Sequence, residues 1–175
     1  MLDALEALAR EGCAEVTMGL LSERAGISRA ALYANFGSLD GVLTMLMTPE
    51  IPEAPAPEES RAARAVRELH ALVDCMVDRR DVIRAARSWR ITSAAQATLV
   101  ESYADRFEAL LLQDGAPVTE GSTIREDSLY CAGGLLTTLN GMLVCDTGTS
   151  TEELRAHGHA SVERILRAVS TMRFT

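Results

Sequence analysis

The chain has 175 residues and a mass of 18.9 kDa, and 47% of its residues are hydrophobic. This composition excludes an intrinsically disordered protein, and the length allows one domain or two small ones. The formal net charge is −8 at pH 7, and all 17 basic residues are arginine. The sequence has no run of about 18 apolar residues and does not open with a signal peptide, so we expect a cytoplasmic protein without a membrane span.

The sequence lacks the motifs of common enzyme classes. It contains no GxSxG, no glycine-rich phosphate loop and no HExxH, which predicts a protein that is not an enzyme and uses no cofactor. Four widely spaced cysteines, with no CxxC among them, argue against a zinc site or a disulfide framework. They are Cys13, Cys75, Cys131 and Cys145. Buried thiols are the favoured interpretation, and a redox-sensing thiol is the alternative.

The first two helices are predicted from apolar spacing and capping residues. Apolar residues recur at helical intervals over residues 2–9, and this helix ends at Gly12. Thr17 is a good N-cap for a second helix, because its hydroxyl can accept a hydrogen bond from the opening turn. Gly26 ends that helix, since glycine adopts the left-handed conformation at least cost. Ile27 is then expected to point inward.

A third short helix is predicted from Ser28, its N-cap, to about Phe36. Its buried side should carry Leu32 and Phe36 together with Ala31, because residues three and four apart share a helix face. Ser38 then caps a fourth helix. Two helices that meet steeply around a glycine turn form a helix-turn-helix, whose second helix fits the major groove of DNA.

These residues resemble the helix-turn-helix pattern of TetR-family transcriptional regulators. The resemblance is carried by Thr17, the turn AGIS at residues 25–28, the pair Leu32-Tyr33, Phe36 and Ser38, preceded by ALEALAREG at residues 4–12. It implies a homodimeric regulator, expected to be a repressor, that binds palindromic double-stranded DNA and is released by a small-molecule effector. Beyond residue 47 the family is supported by chain length and an all-helical pattern. The family usually has a basic arm ahead of its first helix, which this sequence does not show before residue 2.

The resemblance also implies which residues contact DNA. They are Thr17, Ser28, Arg29, Ala30, Ala31, Tyr33 and Asn35. Arg29 would bind a guanine edge in two hydrogen bonds, worth about 1–3 kcal/mol of discrimination, while Tyr33 and Asn35 would donate to phosphates. The alternatives are a solvated surface arginine at position 29 and a Tyr33 ring packed on the start of the fourth helix.

The charge of this region disagrees with ordinary DNA binding. Residues 1–47 contain three arginines and six acidic residues, and Leu39 stands where the family commonly has a phosphate-binding lysine. Because phosphate contacts supply most non-specific affinity, we expect weak non-specific binding and a shallow salt dependence. An alternative function follows, namely a TetR-like dimer that binds a ligand or a protein and has little or no DNA affinity.

The remaining sequence predicts a linker followed by five helices. Residues 48–59 contain four prolines and four glutamates, which indicates an extended acidic linker. Apolar spacing and stop signals predict helices at about 60–78, 81–89, 94–113, 124–145 and 151–172. We therefore predict an all-α fold of roughly nine helices. Its parts are an N-terminal three-helix helix-turn-helix DNA-binding domain (1–47), the linker (48–59) and a C-terminal helical ligand-binding and dimerisation domain (60–175).

The penultimate helix contains GGLLTTLNGMLV at residues 133–144. Glycine in a helix costs roughly 1 kcal/mol relative to alanine, so its glycines suggest close approach of another helix. The predicted contact face is Gly134, Leu135, Thr138, Gly141 and Met142. The family resemblance implies that the last two helices form a dimeric four-helix bundle here. The alternative is packing of the same face within one subunit.

The resemblance further implies a small-molecule cavity among the middle helices. Apolar residues with a few polar groups are candidates to line it: Leu72, Met76, Trp89, Tyr103, Phe107 and Met142. Each of them is equally suited to the hydrophobic core, because a chain with few aromatic residues needs them for packing.

Two charged patterns leave their roles open. Arg80, Arg84 and Arg87 fall on one helical stripe, which would meet an anionic effector or the acidic linker, or would form a solvated face paired with neighbouring acids. His157 and His159 are two residues apart, about 200° around a helix, so the sequence predicts no metal site there.

Overall fold

The computed structural model describes residues 1–49, 60–89, 92–113, 123–145 and 148–172, and these residues form nine α-helices and no strand. The helices are α1 (Leu2–Arg10), α2 (Met18–Ala25), α3 (Arg29–Phe36), α4 (Leu39–Leu46), α5 (Arg61–Asp78), α6 (Arg80–Ser88), α7 (Thr92–Gln113), α8 (Ile124–Cys145) and α9 (Thr151–Met172). The predicted all-α class is confirmed. Most of the predicted linker lies outside the described residues, so the linker and the division into domains stay predictions.

The first turns of α2, α3 and α4 are held by local side-chain caps. The hydroxyls of Thr17, Ser28 and Ser38 accept hydrogen bonds from backbone N–H groups three residues later, at 3.1, 3.2 and 3.1 Å. Gly26 ends α2 with φ of 66°, in the left-handed region that favours glycine. Each cap depends only on neighbours in sequence, so the start of each helix is encoded locally.

The N-terminal helices share a hydrophobic core with α6 and with Ala95 near the start of α7. Leu5, Leu8, Leu21 and Leu32 lie fully buried at its centre. The apolar face of α6 closes this core, and α6 packs directly on α1. Trp89, at the end of α6, is 8% exposed, and its indole N–H donates to the Cys13 carbonyl at 2.7 Å. The helix-turn-helix segment therefore rests on α6.

The second core lies between α5, α7, α8 and α9, which pack against one another. Its largest buried side chains include Leu69, Phe107, Leu136 and Leu139. Within the described part of the chain, α8 is long and apolar enough to cross a membrane by length and composition alone. Its buried face belongs to this core, as expected for a central helix of a bundle.

The end of α4 connects the two cores. Met47, directly after α4, is buried in the second core, and α4 packs on α7. The Cys75 thiol of α5 donates to the Leu46 carbonyl at 3.3 Å, and burial raises the pKa of this thiol. Arg84 of α6 donates from Nε to the Leu143 carbonyl near the end of α8, at 2.6 Å. Thus α4 and α6 both join the N-terminal helices to the bundle.

Candidate functional site

The surface of α3 is largely free of its own chain. Leu32 is fully buried, Phe36 is half-buried, and Ala30, Tyr33 and Asn35 are exposed. The Tyr33 side chain is 55% exposed, so its ring is not packed away on α4. One face of α3 thus anchors the helix, and the others are open to a partner.

The turn before α3 differs from the sequence prediction at one residue. Ile27 was expected to point inward, but it is 37% exposed, so that prediction is wrong. The turn is fastened through the Ile27 backbone instead: its N–H donates to the Ser22 carbonyl at 3.1 Å, and its carbonyl accepts from the Ser22 hydroxyl at 2.5 Å. Because both backbone groups face α2, the side chain is directed to the surface.

Three of the predicted phosphate-binding residues already make local hydrogen bonds. Thr17 and Ser28 accept cap hydrogen bonds, which leaves each hydroxyl hydrogen able to donate elsewhere. The side-chain amide of Asn35 donates to the carbonyl of Ala31, which is half-buried, at 2.8 Å, leaving one amide hydrogen unused. All three side chains are exposed and retain donor capacity.

Arg29 lies along the opening of α2. A Cβ atom placed on Gly19 would lie 2.6 Å from Nη2 of Arg29, so the guanidinium covers the glycine in the first turn of α2. Arg29 remains exposed and makes no ion pair with any residue that the structure describes. Glycine at position 19 therefore leaves the space that this arginine occupies.

The other two arginines of the N-terminal helices are paired with acids. Arg24 makes two hydrogen bonds to the Glu11 carboxylate, at 2.8 and 2.5 Å. Arg10 lies 3.9 Å from Glu6, one turn earlier on α1. Within residues 1–49, Arg29 is thus the arginine left without an ion pair, and the candidate nucleic-acid interface carries little unpaired positive charge.

Comparison with known proteins identifies the N-terminal segment. Residues 2–44 match the family model described as "Bacterial regulatory proteins, tetR family". This chain carries the helix-turn-helix domain of the TetR family. The matched residues run from α1 into α4 and include the caps of α2, α3 and α4 and the glycine turn after α2.

Among solved structures, a match was found to a TetR-like transcriptional regulator from Rhodococcus sp. RHA1. It is 16% identical, with a TM-score of 0.45, and the alignment covers 95% of this chain and 93% of that one. The search of curated proteins found no match. The family assignment therefore depends on the TetR-family domain itself.

Between the middle helices, the structure forms a small apolar notch. The notch has a volume of about 40 Å³ and is enclosed by residues from α4 to α8. Its walls are Leu43, Met47, Met76, Ile83, Ala86, Ala95, Gln96, Leu99, Leu136 and Asn140. A water needs about 10–15 Å³ measured in this way, so the notch admits a group of about three heavy atoms.

The notch continues into a wider, half-open cleft of about 380 Å³, which we call the α6–α8 cleft. Ile83, Gln96 and Asn140 line both spaces. The cleft adds Arg87, Thr137, Gly141 and Val144 to its walls. An apolar end and a polar mouth are thus contiguous, as in small-molecule sites of proteins.

The predicted effector-binding residues are mostly elsewhere. Met76 lines the notch, whereas Leu72, Tyr103 and Phe107 are buried in the second core and Met142 packs against its edge. Trp89 lies in the N-terminal core beside Cys13. Large apolar side chains fill the core, and the notch lies between its edge and the N-terminal core, where Ala86 and Ala95 are the small residues of its walls. Sequence reasoning missed Gln96 and Asn140; the lone amide of Asn140 in the apolar stretch 133–144 was the available signal.

The predicted dimer face is only partly exposed. Leu135 was placed on this face but is fully buried in its own subunit, where it packs in the second core. Gly134, Thr138 and Gly141 are exposed, and Met142 is half-buried. The exposed stripe also includes Tyr130, which is 82% exposed and was missed because it lies one turn before the glycine-rich segment. A Cβ on Gly134 or Gly141 would meet no atom of the described residues within 4 Å.

The arginine stripe of α6 has divided roles. Arg80 and Arg84 each lie 3.8 Å from Asp81 and also donate to backbone carbonyls beyond α6. Arg87 lines the α6–α8 cleft instead.

The described residues include no group of three or more His, Cys, Asp or Glu arranged to hold a metal ion. His159 stacks on His70 of α5, with ring centroids 4.6 Å apart, and His157 is exposed.

Proposed function

We propose that this protein is a cytoplasmic transcriptional regulator without enzymatic activity, acting as a homodimeric repressor that binds palindromic operator DNA. The observation that carries the proposal is the TetR-family domain whose third helix exposes every face except the one anchored by Leu32. An α-helix presented in this way has the dimensions of a major-groove reader. A bound small molecule would release the DNA.

In this proposal the N-terminal end of α3 faces the bases. Arg29 would contact a guanine, with Ala30 and Ala31 beside it close to the base edges. Tyr33 and Asn35 would donate to phosphates on one side. Thr17 and Ser28, at the starts of α2 and α3, would use their remaining hydroxyl hydrogens in the same way.

The DNA proposal is tested by selecting binding sites from a randomised duplex pool at low salt and sequencing the bound fraction. Enrichment of a palindrome is the expected result. Arg29→Ala should relax the preference at one base position in each half-site, and Arg61→Ala, at an exposed arginine of α5, should leave the preferences unchanged. If Arg29→Ala instead weakens all sequences equally, Arg29 is a phosphate contact and the base-reading role is wrong.

The homodimer is proposed from the exposed stripe of α8. Tyr130, Gly134, Thr138 and Gly141 recur at intervals of three and four, so they lie along one side of the helix. Glycines with open space above them let a second helix approach closely, and an exposed tyrosine is a common anchor at protein interfaces. A twofold partner also supplies the second recognition helix that a palindrome requires.

The dimer is tested by the molar mass in solution. Gly134→Arg places a charged side chain on the stripe, so we expect the mass to fall from that of a dimer to that of a monomer. Ala97→Arg, at an exposed position of α7, adds the same charge outside the stripe and should leave the mass unchanged. A wild-type protein with the mass of a monomer would overturn the proposed assembly.

One observation favours a second candidate function, a TetR-like dimer that binds a ligand or a protein and has little DNA affinity. Arg10 and Arg24 are paired with acids of their own domain, and Leu39 offers no phosphate contact. The logarithm of the DNA-binding constant falls with the logarithm of the salt concentration, with a slope of about 0.9 per phosphate contact. Because these contacts also supply the non-specific affinity, a domain with few of them binds DNA weakly. A selected pool without any enriched sequence, even at low salt, supports this candidate over the first.

A further inference from the structure

The polar groups at the α6–α8 cleft define the class of ligand that fits it. Arg87 is exposed and has no hydrogen bond or ion pair with the described residues. The neighbouring Arg84 differs, since it donates to the Leu143 carbonyl and lies near Asp81. None of the described residues that line the cleft is acidic. Within the part of the chain that the structure describes, the cleft lining therefore carries the positive charge of Arg87 and no carboxylate.

Neutral donors lie deeper than this charge. Gln96 and Asn140 are half-buried, line both the notch and the cleft, and have side-chain amides without a hydrogen-bond partner among the described residues. Thr137 adds a hydroxyl at the same wall. Neither amide is among the described polar atoms that are buried without a partner, so both are open to the cleft, where the acceptor atoms of a ligand can replace the water that hydrates them.

The far end of the space is apolar and narrow. Met47, Met76 and Leu99 enclose the notch, whose volume of about 40 Å³ admits a short aliphatic end and excludes a ring system. The Arg87 guanidinium suits a planar monoanion, because a carboxylate can accept two parallel hydrogen bonds from arginine. A phosphate dianion would be neutralised only in part by one cation.

We propose that the α6–α8 cleft binds a small amphipathic carboxylate, with its acid group at Arg87 and its aliphatic end in the notch beside Met76. This inference depends on the proposed effector-dependent regulation only for its biological role, because binding itself needs no DNA. Leu43 and Met47 of the α4 end and Ile83 of α6 line the notch, so the aliphatic end contacts both connections to the TetR-family domain.

The test is calorimetric titration of the full chain, without DNA, using hexanoate as the probe and hexanamide, hexylamine and acetate as comparisons. Hexanoate should bind at least about tenfold more tightly than hexanamide, a difference of roughly 1.4 kcal/mol. Hexylamine should not bind, because its charge repels Arg87. Acetate should be weaker than hexanoate, because it cannot reach the notch.

Two variants locate the site. Arg87→Gln should weaken hexanoate binding about tenfold and abolish the preference over hexanamide, whereas Arg61→Gln, at the exposed first residue of α5, should change neither. Asn140→Leu should weaken hexanoate binding as well. Equal binding of hexanoate and hexanamide, or an unchanged affinity in Arg87→Gln, overturns the carboxylate proposal whatever the DNA selection gives. Failure of the DNA selection leaves these titrations unaffected, so the two proposals fail separately.

Discussion

Gly158 shows how one residue decides the distance between two helices. A Cβ atom at this position of α9 would overlap a methyl group of Val73 on α5 and would lie 3.3 Å from Leu139 on α8. Val73 is β-branched and fully buried, so it has little freedom to move aside. The crossing of α9 over α5 therefore requires a residue without a side chain.

We expect Gly158→Ala to lower the free energy of unfolding by about 1–3 kcal/mol, because the added methyl overpacks a closed contact. Urea unfolding followed by circular dichroism, at equal protein concentrations, measures this difference. Gly133→Ala is the matched control, since a Cβ there meets no atom of the described residues within 4 Å. The control should be neutral or more stable by up to about 1 kcal/mol, and equal losses in both variants would contradict the close-contact account.

The caps of α2, α3 and α4 differ from Gly158, because their contacts are local in sequence. Thr17, Ser28 and Ser38 each bind a backbone N–H three residues later, a contact that the sequence alone specifies. Ile27 was predicted wrongly because the direction of its side chain depends on how the Ser22 hydroxyl fixes the turn, which is a contact five residues away.

At the scale of elements, the contact between α5 and α9 is lined with ionisable groups. His70 and Asp74 on α5 face His159 and Glu163 on α9, and Arg155 of α9 lies 3.0 Å from Asp74. Burial, followed by the nearby His159, lowers the pKa of His70, and the carboxylates of Glu163 and Asp74 only partly oppose this. The folded protein thus binds a proton at His70 less readily than the unfolded chain does.

The lowered pKa of His70 determines how the free energy of unfolding changes with pH. Because the pKa of His70 is lower in the folded protein, the free energy of unfolding should fall as the pH drops from 7.5 through the ordinary value of about 6.5 to 5.5. His70→Gln should flatten this change, and His157→Gln, at an exposed position of α9, should leave it as in the wild type. Urea unfolding at the two pH values provides the measurement.

Another buried group does not interfere in that pH window. Glu68 is buried, which by itself raises the pKa of its carboxyl, but hydrogen bonds from Arg64 and Arg106 outweigh burial and hold the pKa below its usual value. The stability it provides is present above the ordinary glutamate value of about 4.3 and is lost only below that pH. A pH slope that survives His70→Gln unchanged would therefore contradict the role of His70.

At the scale of the whole molecule, α6 belongs to both halves of the structure. Its apolar face closes the core of the TetR-family domain, while Arg84 reaches the end of α8 and Arg87 lines the α6–α8 cleft. Trp89 fixes the end of α6 to the loop before α2 through the Cys13 carbonyl. A ligand in the cleft and DNA on α3 would thus be coupled through one helix, and any such coupling acts equally in both directions.

Trp89→Phe tests the strength of that attachment. Phenylalanine retains an aromatic ring but has no N–H group, so the Cys13 carbonyl loses its partner, and we expect a loss of about 1–3 kcal/mol in the free energy of unfolding. Unfolding should be followed by circular dichroism, because Trp89 is the single tryptophan and its replacement removes the tryptophan fluorescence signal. Tyr33→Phe, which removes a hydroxyl from an exposed ring, should change stability by less than about 0.5 kcal/mol. Similar effects in both variants would contradict a structural role of the indole hydrogen bond.

The sequence by itself determined the helices, their caps, the glycine turn after α2 and the TetR-family character of the first segment. Those features depend on residues within one or two turns of each other, where spacing and capping chemistry act directly. Only the tertiary structure decided that Trp89 belongs to the N-terminal core, that Leu135 is covered within its own subunit and that Gln96 and Asn140 meet at one cleft. Such contacts join helices far apart in the chain, and their partners depend on how whole side chains fill space in the packed core.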